Sequence, residues 1–268
     1  MVKQLVCDEL WVIIEPLLPS EPDKSRGGRP REISNRQALE GILYVLKTGI
    51  PWEMLPLELG YGSGMTCWRR LRDWQGEGVW RKLHQALLEK LNKASALDWS
   101  RAAVDSGSVP APAGGEHTGP NPTDRAKSGS KRHIVVDLQG IPLGVTQSGA
   151  NVHDSQMLEQ TIDAIPALRQ PRGGPRKRPR KVHTDKGYDF RRCRQALRRR
   201  GIIPRIARRG IESSSHLGKY RWVVERTLSW LKRFRRLNTR WEFRDDIHLA
   251  FLTLGCAMIC WRFAQRLC

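Results

Sequence analysis

The chain has 268 residues and carries 47 Lys and Arg against 27 Asp and Glu, so its formal net charge is +20 and its sequence pI is near 10.4. Such an excess repels itself in a compact fold without a polyanionic partner, which favours nucleic acid first and an anionic membrane surface second. Because 39% of the residues are hydrophobic, the composition excludes a chain without a core and suits one large domain, alone or with a smaller one.

Signals for export and membrane insertion are weak. The segment after Met1-Val-Lys-Gln contains acids rather than a cleavable apolar stretch, so we expect a cytoplasmic protein that is nucleoid-associated when it binds DNA. The one strongly apolar run, from Phe251 to Trp261, is too short to cross a bilayer and is closed by Arg262 and Arg266. The sequence therefore predicts a buried terminal helix and no membrane partner.

Helical signals dominate the first 96 residues. Asp8 is a possible cap for a first helix that reaches Leu18, and Ser34-Asn-Arg-Gln37 resembles a capping box. The box opens a second helix, and Gly49 followed by Pro51 predicts its end. We predict a small all-α domain over residues 1–96.

Two further helices are predicted in this part, one from a possible cap at Thr66 to Gly76 and one from about Val79 to Leu91. Three arginines lie along the first of these, and they are candidate DNA-binding residues of a helix-turn-helix-like element: Arg69, Arg70 and Arg72. The alternative is that they form an ordinary solvated face, because this element has no sharp sequence signature.

After residue 97 the pattern changes to strands that alternate with helices. A short strand ends at Asp105, a Gly- and Pro-rich loop follows from Ser106 to Ser130, and a hairpin is predicted next. The later predicted elements are a helix capped by Asp154, a strand over 181–185, a helix capped by Asp189, a strand over 202–207 and a long helix from about Arg221. This order is that of an RNase H-like fold, so we predict an α/β domain over residues 97–268 with a mixed sheet flanked by helices.

Two acids end predicted strands. Asp105 closes the first strand and Asp185 the fourth, and in an RNase H-like sheet these two strands are neighbours at the centre. Ligands of open sheets collect at the carboxyl ends of the strands. We therefore expect the two carboxylates to lie together although 80 residues separate them in the chain.

The third acid lies on the last predicted amphipathic helix. At helical spacing, Glu225 shares a polar face with Arg221, Ser229, Lys232 and Arg236. Taken alone, Glu225 is better explained as an ion-pair partner of Arg221. Together with the two aspartates it completes a carboxylate cluster suited to two divalent cations in a protein that acts on a polyanion.

Other residues near these acids are candidates for contact with DNA. The basic loop over residues 124–132 is interpreted as a DNA-gripping loop through Arg125, Lys127, Lys131 and Arg132, with a solvated loop as the alternative. Lys186 follows the second aspartate and is a candidate phosphate ligand. His183 faces the same side of its strand as Asp185, and a packed or phosphate-binding histidine is as consistent with the pattern as a metal ligand.

Several motifs together resemble the DDE transposases of bacterial insertion sequences, in the broad group numbered family five. They are Trp11-Val-Ile-Ile-Glu-Pro-Leu-Leu-Pro19, Gly28-Arg-Pro-Arg31, Gly41-Ile-Leu-Tyr-Val-Leu-Lys-Thr-Gly-Ile-Pro-Trp52, Asp105-Ser-Gly-Ser108, Asn121-Pro-Thr-Asp-Arg125, Gly129-Ser-Lys-Arg-His133, Asn151-Val-His-Asp154 and His183-Thr-Asp-Lys-Gly-Tyr-Asp189. The spacing from Arg221 to Glu225 and on to Lys232 also fits. Related families place a tyrosine three residues before that arginine, where this chain has Gly218.

The resemblance implies a catalytic and metal-binding triad of Asp105, Asp185 and Glu225 that holds two Mg²⁺ ions, with Mn²⁺ as a substitute. It implies cleavage at the terminal inverted repeats and direct joining of the 3′-ends to target DNA, with Arg221, Lys232 and Lys186 on phosphates near the scissile bond. A homodimer on double-stranded DNA is expected, since two ends are joined together. The alternatives are a metal-dependent nuclease or resolvase on the same fold, and a non-catalytic DNA-binding protein derived from a transposase.

Overall fold

The computed structural model describes residues 4–20, 32–170, 173–211 and 214–267, with the backbone alone described over 214–220. The motif Gly28-Arg-Pro-Arg31 lies outside the described residues. The helices are α1 Asp8–Ile14, α2 Asn35–Thr48, α3 Gly64–Gly76, α4 Val79–Lys93, α5 Asp154–Asp163, α6 Arg191–Arg199, α7 Ser214–Lys232 and α8 Asp245–Ala264. The strands are β1 Ala102–Pro110, β2 Gly119–Pro120, β3 Ser128–Asp137, β4 Pro142–Gly149, β5 Lys181–Thr184 and β6 Ile203–Ile206.

The strands form one mixed sheet. Its main order is β4-β3-β1-β5-β6, and the two-residue strand β2 also pairs with β3. Strand β3 is antiparallel to both β1 and β4, whereas β1, β5 and β6 are parallel. Parallel neighbours need a crossover, and helices supply it between β4 and β5 and between β5 and β6. The structure thus confirms the predicted RNase H-like α/β fold with helices before the sheet.

Local capping signals predicted the second helix well and the first and third less well. Ser34 and Gln37 form the predicted capping box of α2, and Gly49 ends that helix at φ 76°. Asp8 is not a cap: it is the first residue of α1, which ends at Ile14 and gives way to a 3-10 turn. Thr66 lies inside α3, whose N-cap is Ser63.

The predicted long loop after Asp105 is strand at both of its ends. Strand β1 continues to Pro110 and pairs with β3, which already begins at Ser128, through contacts such as Asp105 with Ile134 and Pro110 with Gly129. The prediction was wrong because glycine and proline were interpreted as loop residues, whereas close pairing of strands here needs small residues. A β-carbon on Gly129 would lie only 3.1 Å from that of Ala150.

Three helix boundaries also differ from prediction. His153 and not Asp154 caps α5, and Phe190 and not Asp189 precedes α6. Asp189 instead accepts a hydrogen bond from the backbone N–H of Arg209 and pairs with Arg194. Helix α7 begins at Ser214, seven residues before the predicted start at Arg221.

The predicted polar face of α7 extends too far. The helix ends at Lys232, and Arg236 lies in the following 3-10 turn, Arg235–Leu237. Arg236 is buried and donates to the Glu242 carboxylate at 2.8 Å. It is therefore part of the interior and not of an exposed basic face.

Helix α8 runs through the centre of the protein, as predicted for the terminal apolar segment. The segment Asp245–Leu267, which is α8 with the turn that follows it, is long and apolar enough to cross a membrane: its most apolar 18-residue stretch has a mean hydropathy of 1.6, but 78% of that stretch is buried inside the protein. The argument from short length was thus wrong, while the prediction of a buried core helix is confirmed. It packs on α4 and β4, and one continuous hydrophobic cluster extends from Val6 to Ala264.

Candidate active site

The parallel pairing of β1 with β5 brings two acids to one edge of the sheet. Ala102 is opposite Val182 and Ala103 is opposite His183, so Asp105 and Asp185 occupy equivalent positions three residues beyond the first pair. Both lie at or beyond the carboxyl end of the paired segment, where ligands of such sheets bind. The predicted approach of the two aspartates follows directly from this register.

Asp105 lies in a mostly buried setting. The pKa of its carboxyl is raised to about 6, mainly by burial and in part by the neighbouring Asp185 charge, against the opposing effects of the Ser106 backbone N–H and Arg221. The Ser106 N–H donates to Asp105 Oδ1 at 2.8 Å. Asp185 is held by the Gly187 N–H, which donates to its Oδ1 at 2.9 Å. Both carboxylates are thus oriented by backbone N–H groups and carry mutual repulsion.

Helix α7 places Arg221 between the first aspartate and the glutamate. Arg221 Nη2 lies 3.5 Å from Asp105 Oδ2 and 3.6 Å from Glu225 Oε1. The Glu225 side chain is 60% exposed, whereas those of Arg221 and Asp105 are 18% and 16% exposed. Glu225 was interpreted either as an ion-pair partner of Arg221 or as a member of the carboxylate cluster. The structure shows the ion pair, and Arg221 in turn connects Glu225 to Asp105.

The aspartate pair has the donor chemistry of a divalent-cation site. Two hard carboxylates at close quarters repel each other, and a bound Mg²⁺ or Mn²⁺ relieves that repulsion. Within the described ranges, no three His, Cys, Asp or Glu side chains are close enough to share one metal ion. Asp105 and Asp185 thus fit a metal, and Glu225 does not join them in this conformation.

A second cluster next to the aspartates was missed by the sequence analysis. Lys131 Nζ lies 2.9 Å from Asp154 Oδ1, and His133 Nδ1 lies 4.0 Å from the same oxygen. Tyr188 is buried, and after burial itself the charges of Asp154, Asp105 and Asp185 raise its pKa further. The signal was present, because these residues belong to the motifs ending at His133, Asp154 and Asp189, but spacing alone did not show that they meet.

Three of the predicted DNA-binding residues make contacts within the protein, and two of them, Arg70 and Arg132, are buried, which corrects their assignment to a DNA-binding surface. Arg70 is buried and donates to Asn35 Oδ1 and to the Ile33 carbonyl. Arg132 is buried and donates to the Leu237 carbonyl at 3.3 Å. The Lys131 side chain is 13% exposed and is held by Asp154. A stretch of basic residues in the sequence does not show which of its side chains are buried and which are exposed to solvent.

The remaining predicted contacts keep their charges at the surface. Arg69, Arg125, Lys127 and Lys232 are exposed, and Arg72 is partly exposed over the Trp68 ring. Lys186 and Arg221 are partly exposed beside the two aspartates. His183 is partly buried, and burial together with Arg101, Lys181 and Arg205 lowers its pKa to about 4, so it is neutral near pH 7.

Two family models match this chain. The one described as "Putative transposase of IS4/5 family" covers residues 6–84, and the one described as "Transposase DDE domain" covers residues 98–261. The second model spans more than half of the chain and includes all three predicted acids. The chain therefore belongs to the transposase DDE domain family.

Curated relatives agree with the family. The chain is 60% identical over 149 residues to the "Putative transposase for insertion sequence element IS402" of Burkholderia cepacia, which is 56% of this chain and 71% of that protein. It is 54% identical over 123 residues to an uncharacterized 16.2 kDa protein of the same insertion element, which is 46% of this chain and 84% of that protein.

Solved structures show more distant likenesses. A chain of the simian T-cell lymphotropic virus intasome aligns at 14% identity and a TM-score of 0.36, over 59% of this chain and 48% of that one. The Mos1 strand transfer complex aligns at 15% identity and a TM-score of 0.30, over 89% of this chain and 81% of that one. Neither likeness is close enough to bear on the site.

Proposed function

We propose that this protein is an active transposase that binds the terminal inverted repeats of its insertion sequence, cuts the DNA at the element ends and joins the 3′-ends to target DNA. The observation that carries the proposal is the register of β1 against β5, which puts Asp105 and Asp185 at one edge of the sheet. Membership of the transposase DDE domain family supports the same role for these acids.

Asp105 and Asp185 would hold the divalent cations, with Mg²⁺ as the expected ion and Mn²⁺ as a substitute. When bound there, the cations would activate the attacking oxygen and neutralise charge on the leaving oxygen. Glu225 would complete the ligand set after it separates from Arg221, whose guanidinium is then free for a phosphate. The observation behind this step is that Arg221 contacts both Asp105 and Glu225 in the free protein.

The chain's own residues would position the DNA around the acids. Arg221 contacts Asp105, Lys186 follows Asp185 in the chain, and Lys232 is exposed at the end of α7. These guanidinium and ammonium groups would bind phosphate oxygens by charge-assisted hydrogen bonds. Further out, Arg125 and Lys127 in the 121–127 loop and Arg69 and Arg72 on α3 would follow the flanking backbone. The joining step is a transesterification: the 3′-oxygen forms a bond to the target phosphorus as the target's own phosphorus–O3′ bond breaks, so no covalent bond to the protein is needed.

Two parts of this proposal concern organisation. We propose that residues 1–96 form the part that reads the terminal repeats and residues 97–268 the catalytic part, although both contribute to the same hydrophobic cluster. We also propose that a homodimer assembles on DNA in the cytoplasm, because two element ends have to be held for one joining reaction.

The test uses a supercoiled plasmid that carries the two element ends, incubated with the full-length protein in Mg²⁺ or in EDTA. We expect 3′-hydroxyl ends at the element boundary and joined products with the wild-type protein in Mg²⁺ only, and neither with Asp185→Ala. Glu53→Ala, an acid on the 3-10 turn Trp52–Met54, is the matched control and should leave cutting unchanged. Cutting without any joining would indicate a nuclease, and binding without cutting would indicate a DNA-binding relic.

A further inference from the structure

Tyr188 lies inside the protein directly after the strand end that carries Asp185. It is the last residue of the 3-10 turn Lys186–Tyr188, which Asp185 precedes, and it is only 1% exposed. Its backbone N–H donates to the Asp185 carbonyl at 3.2 Å. The Tyr188 ring is therefore anchored to one of the two aspartates by a tight turn, although no step of the proposed reaction uses it.

The Tyr188 hydroxyl is buried without a hydrogen-bond partner in the part of the chain that the structure describes. Buried polar groups in native proteins are nearly always paired, because an unpaired one loses its hydration and gains nothing in return. A phenylalanine ring would fill almost the same space without that loss. The tyrosine thus destabilises the free protein, which indicates that its hydroxyl acquires a partner when the protein binds something.

The two faces of the sheet bring different groups to the aspartates. Asp105 and Gly107 lie on the face that α7 covers, since a β-carbon on Gly107 would be 3.6 Å from a leucine of α7. Ser106, between them, points the other way and shares its face with its cross-strand partner His133. Helix α5 covers this second face and also packs on the turn that carries Tyr188. Tyr188 therefore approaches the aspartates from the face opposite to α7.

Three carboxylates act on the far end of this ring. Burial raises the pKa of Tyr188 well above its ordinary value, and the charges of Asp154, Asp105 and Asp185 raise it further, in that order. The hydroxyl therefore keeps its proton near neutral pH and is available as a hydrogen-bond donor. A donor among carboxylates has suitable acceptors close by, although none of them accepts from it in the described residues of the free protein.

Asp105 is the acid whose surroundings should change most when a cation binds. Asp154 is already held by Lys131, whose Nζ lies 2.9 Å from its Oδ1. Asp185 directly precedes the turn of the ring, and its carboxylate accepts from a backbone N–H of that turn. The Asp105 carboxylate is instead drawn to Arg221 at 3.5 Å in the free protein. A cation shared with Asp185 would draw it away from that arginine and towards the turn.

We propose that Tyr188 is a positioning residue of the cation site: its hydroxyl donates a hydrogen bond to the Asp105 carboxylate when Asp105 and Asp185 share a divalent cation. The inference rests on the proposed function, since the cation site is that of the proposed cutting reaction. Carboxylates that bind metals are themselves held by hydrogen bonds from outer groups, and loss of such a group lowers metal affinity by about 10-fold to 100-fold. Tyr188 supplies this support from the face opposite to Arg221.

The test compares full-length Tyr188→Phe with wild type in the absence of DNA. Because the substitution removes only an unpaired buried hydroxyl, the midpoint of urea unfolding in EDTA should be equal to or above that of wild type. The affinity for Mn²⁺, measured by calorimetry, should fall about tenfold. A hydroxyl that only supports the fold predicts the reverse pattern, which is a lower midpoint with an unchanged Mn²⁺ affinity.

The dependence of cutting on Mg²⁺ gives a second measurement. With the plasmid that carries the element ends, Tyr188→Phe should need about tenfold more Mg²⁺ for half-maximal cutting. Its rate at saturating Mg²⁺ should stay close to that of wild type, because the hydroxyl orients a ligand and does not contact DNA. Tyr61→Phe is the matched control, since it removes the hydroxyl of another buried tyrosine, which responds to the charge of Glu40 and not to the aspartates. It should change neither quantity.

Three results would overturn the proposal. Equal Mn²⁺ affinities of wild type and Tyr188→Phe, with binding lost in Asp105→Asn, would remove the role of Tyr188 and leave the proposed function standing. Equal affinities of all three proteins would remove the cation site of the proposed function and this inference with it. If Tyr188→Phe lowers Mn²⁺ affinity in wild type but not in an Asp154→Asn background, the hydroxyl acts through Asp154 and not through Asp105.

Discussion

The sheet and helix α7 hold their predicted catalytic acids in different ways. Asp105 and Asp185 are placed by paired strands and oriented by the N–H groups of Ser106 and Gly187. Glu225 has no such hold: its side chain is 60% exposed and its ion pair is with Arg221 on the same helix. The pairing of the strands therefore places the two aspartates already in the free protein. The position of the Glu225 carboxylate depends instead on whether its charged partner is Arg221 or a bound cation.

The largest expected effect comes from removal of one acid from the sheet or of the acid on α7. Asp105→Asn and Glu225→Gln should each lower Mg²⁺-dependent cleavage at least about a thousandfold, because each removes an anionic ligand of the cations that would neutralise the reacting phosphate. Their stabilities should differ. Asp105 has a pKa of about 6 in the folded protein against an ordinary value of 3.8, so the folded state binds the extra proton between those values and its ionised form costs stability above pH 6.

Removal of that cost should make Asp105→Asn more stable than wild type by about 1 to 3 kcal/mol at pH 7.5 without divalent ions, from the size of such a shift. The gain should disappear below about pH 4, where both proteins are neutral at this position. Glu225→Gln should change the free energy of unfolding by less than about 0.5 kcal/mol, as for other exposed sites. Urea unfolding at both pH values measures this, and equal stabilities of all three proteins at pH 7.5 would contradict it.

The fold and the aspartate pair were predictable from the sequence because they depend on short patterns. Alternating apolar runs marked β3 and β4, and an acid at the end of each of two central strands needed only the strand order to be brought together. The length of β1 was not predictable, since the glycines and prolines near Pro110 indicate a loop when their pairing partner is unknown. The contact of Arg221 with both Asp105 and Glu225 was not predictable either, because it depends on how α7 packs against β1.

The second prediction concerns a helix residue that, unlike Glu225, is hydrogen-bonded to the sheet. His84 on α4 is buried, and its Nε2 forms a hydrogen bond with the Pro142 carbonyl of β4 at 2.8 Å. Burial lowers its pKa to about 4 from an ordinary 6.5, against the opposing effect of that hydrogen bond. The unfolded chain therefore binds a proton that the folded protein does not, and stability is complete above pH 6.5 and falls as the pH drops towards 4.

From that shift, His84 accounts for a loss of about 3 kcal/mol between pH 7 and pH 4. His84→Gln keeps an N–H donor but does not titrate, so its free energy of unfolding should fall by less than that of wild type over this range. His133 and His183, whose pKa values are also lowered to about 4 by burial, are present in both proteins and cancel. If the free energies of unfolding of wild type and His84→Gln, measured with urea, depend on pH in the same way, His84 does not have the lowered pKa described above.

The third prediction sharpens the comparison within two adjacent residues of α3. Arg70→Ala should cost about 1 to 3 kcal/mol of stability, because it leaves Asn35 and the Ile33 carbonyl without their donor. Arg69→Ala should leave stability within about 0.5 kcal/mol and weaken DNA binding instead. If Arg69 contacts one phosphate, the slope of log affinity against log salt should fall by about 0.9.

Fluorescence anisotropy over a range of salt concentrations measures that slope, with Arg81→Ala, an exposed arginine on α4, as the matched control. An unchanged slope for Arg69→Ala would mean that Arg69 lies on an ordinary solvated face of α3 and does not contact DNA. The sequence alone could not separate the two arginines, since adjacent helical positions differ by about 100° in direction and the residue that faces inward is set by what packs against the helix.

The smallest expected effect tests whether Arg221 keeps the two halves of the site apart. Its guanidinium is 3.5 Å from Asp105 and 3.6 Å from Glu225, so it competes with a cation for the same carboxylates in the free protein. Partly exposed pairs of this kind are worth less than about 1 kcal/mol, and Arg221→Gln should therefore bind Mn²⁺ only about threefold to fivefold more tightly in calorimetry without DNA. Arg226→Gln, on the same helix but bonded to the Gln139 carbonyl, should not change Mn²⁺ affinity. Equal affinities of wild type and Arg221→Gln would mean that Glu225 is kept out of the site by the position of α7 itself, and the helix, not its arginine, would then have to move when DNA binds.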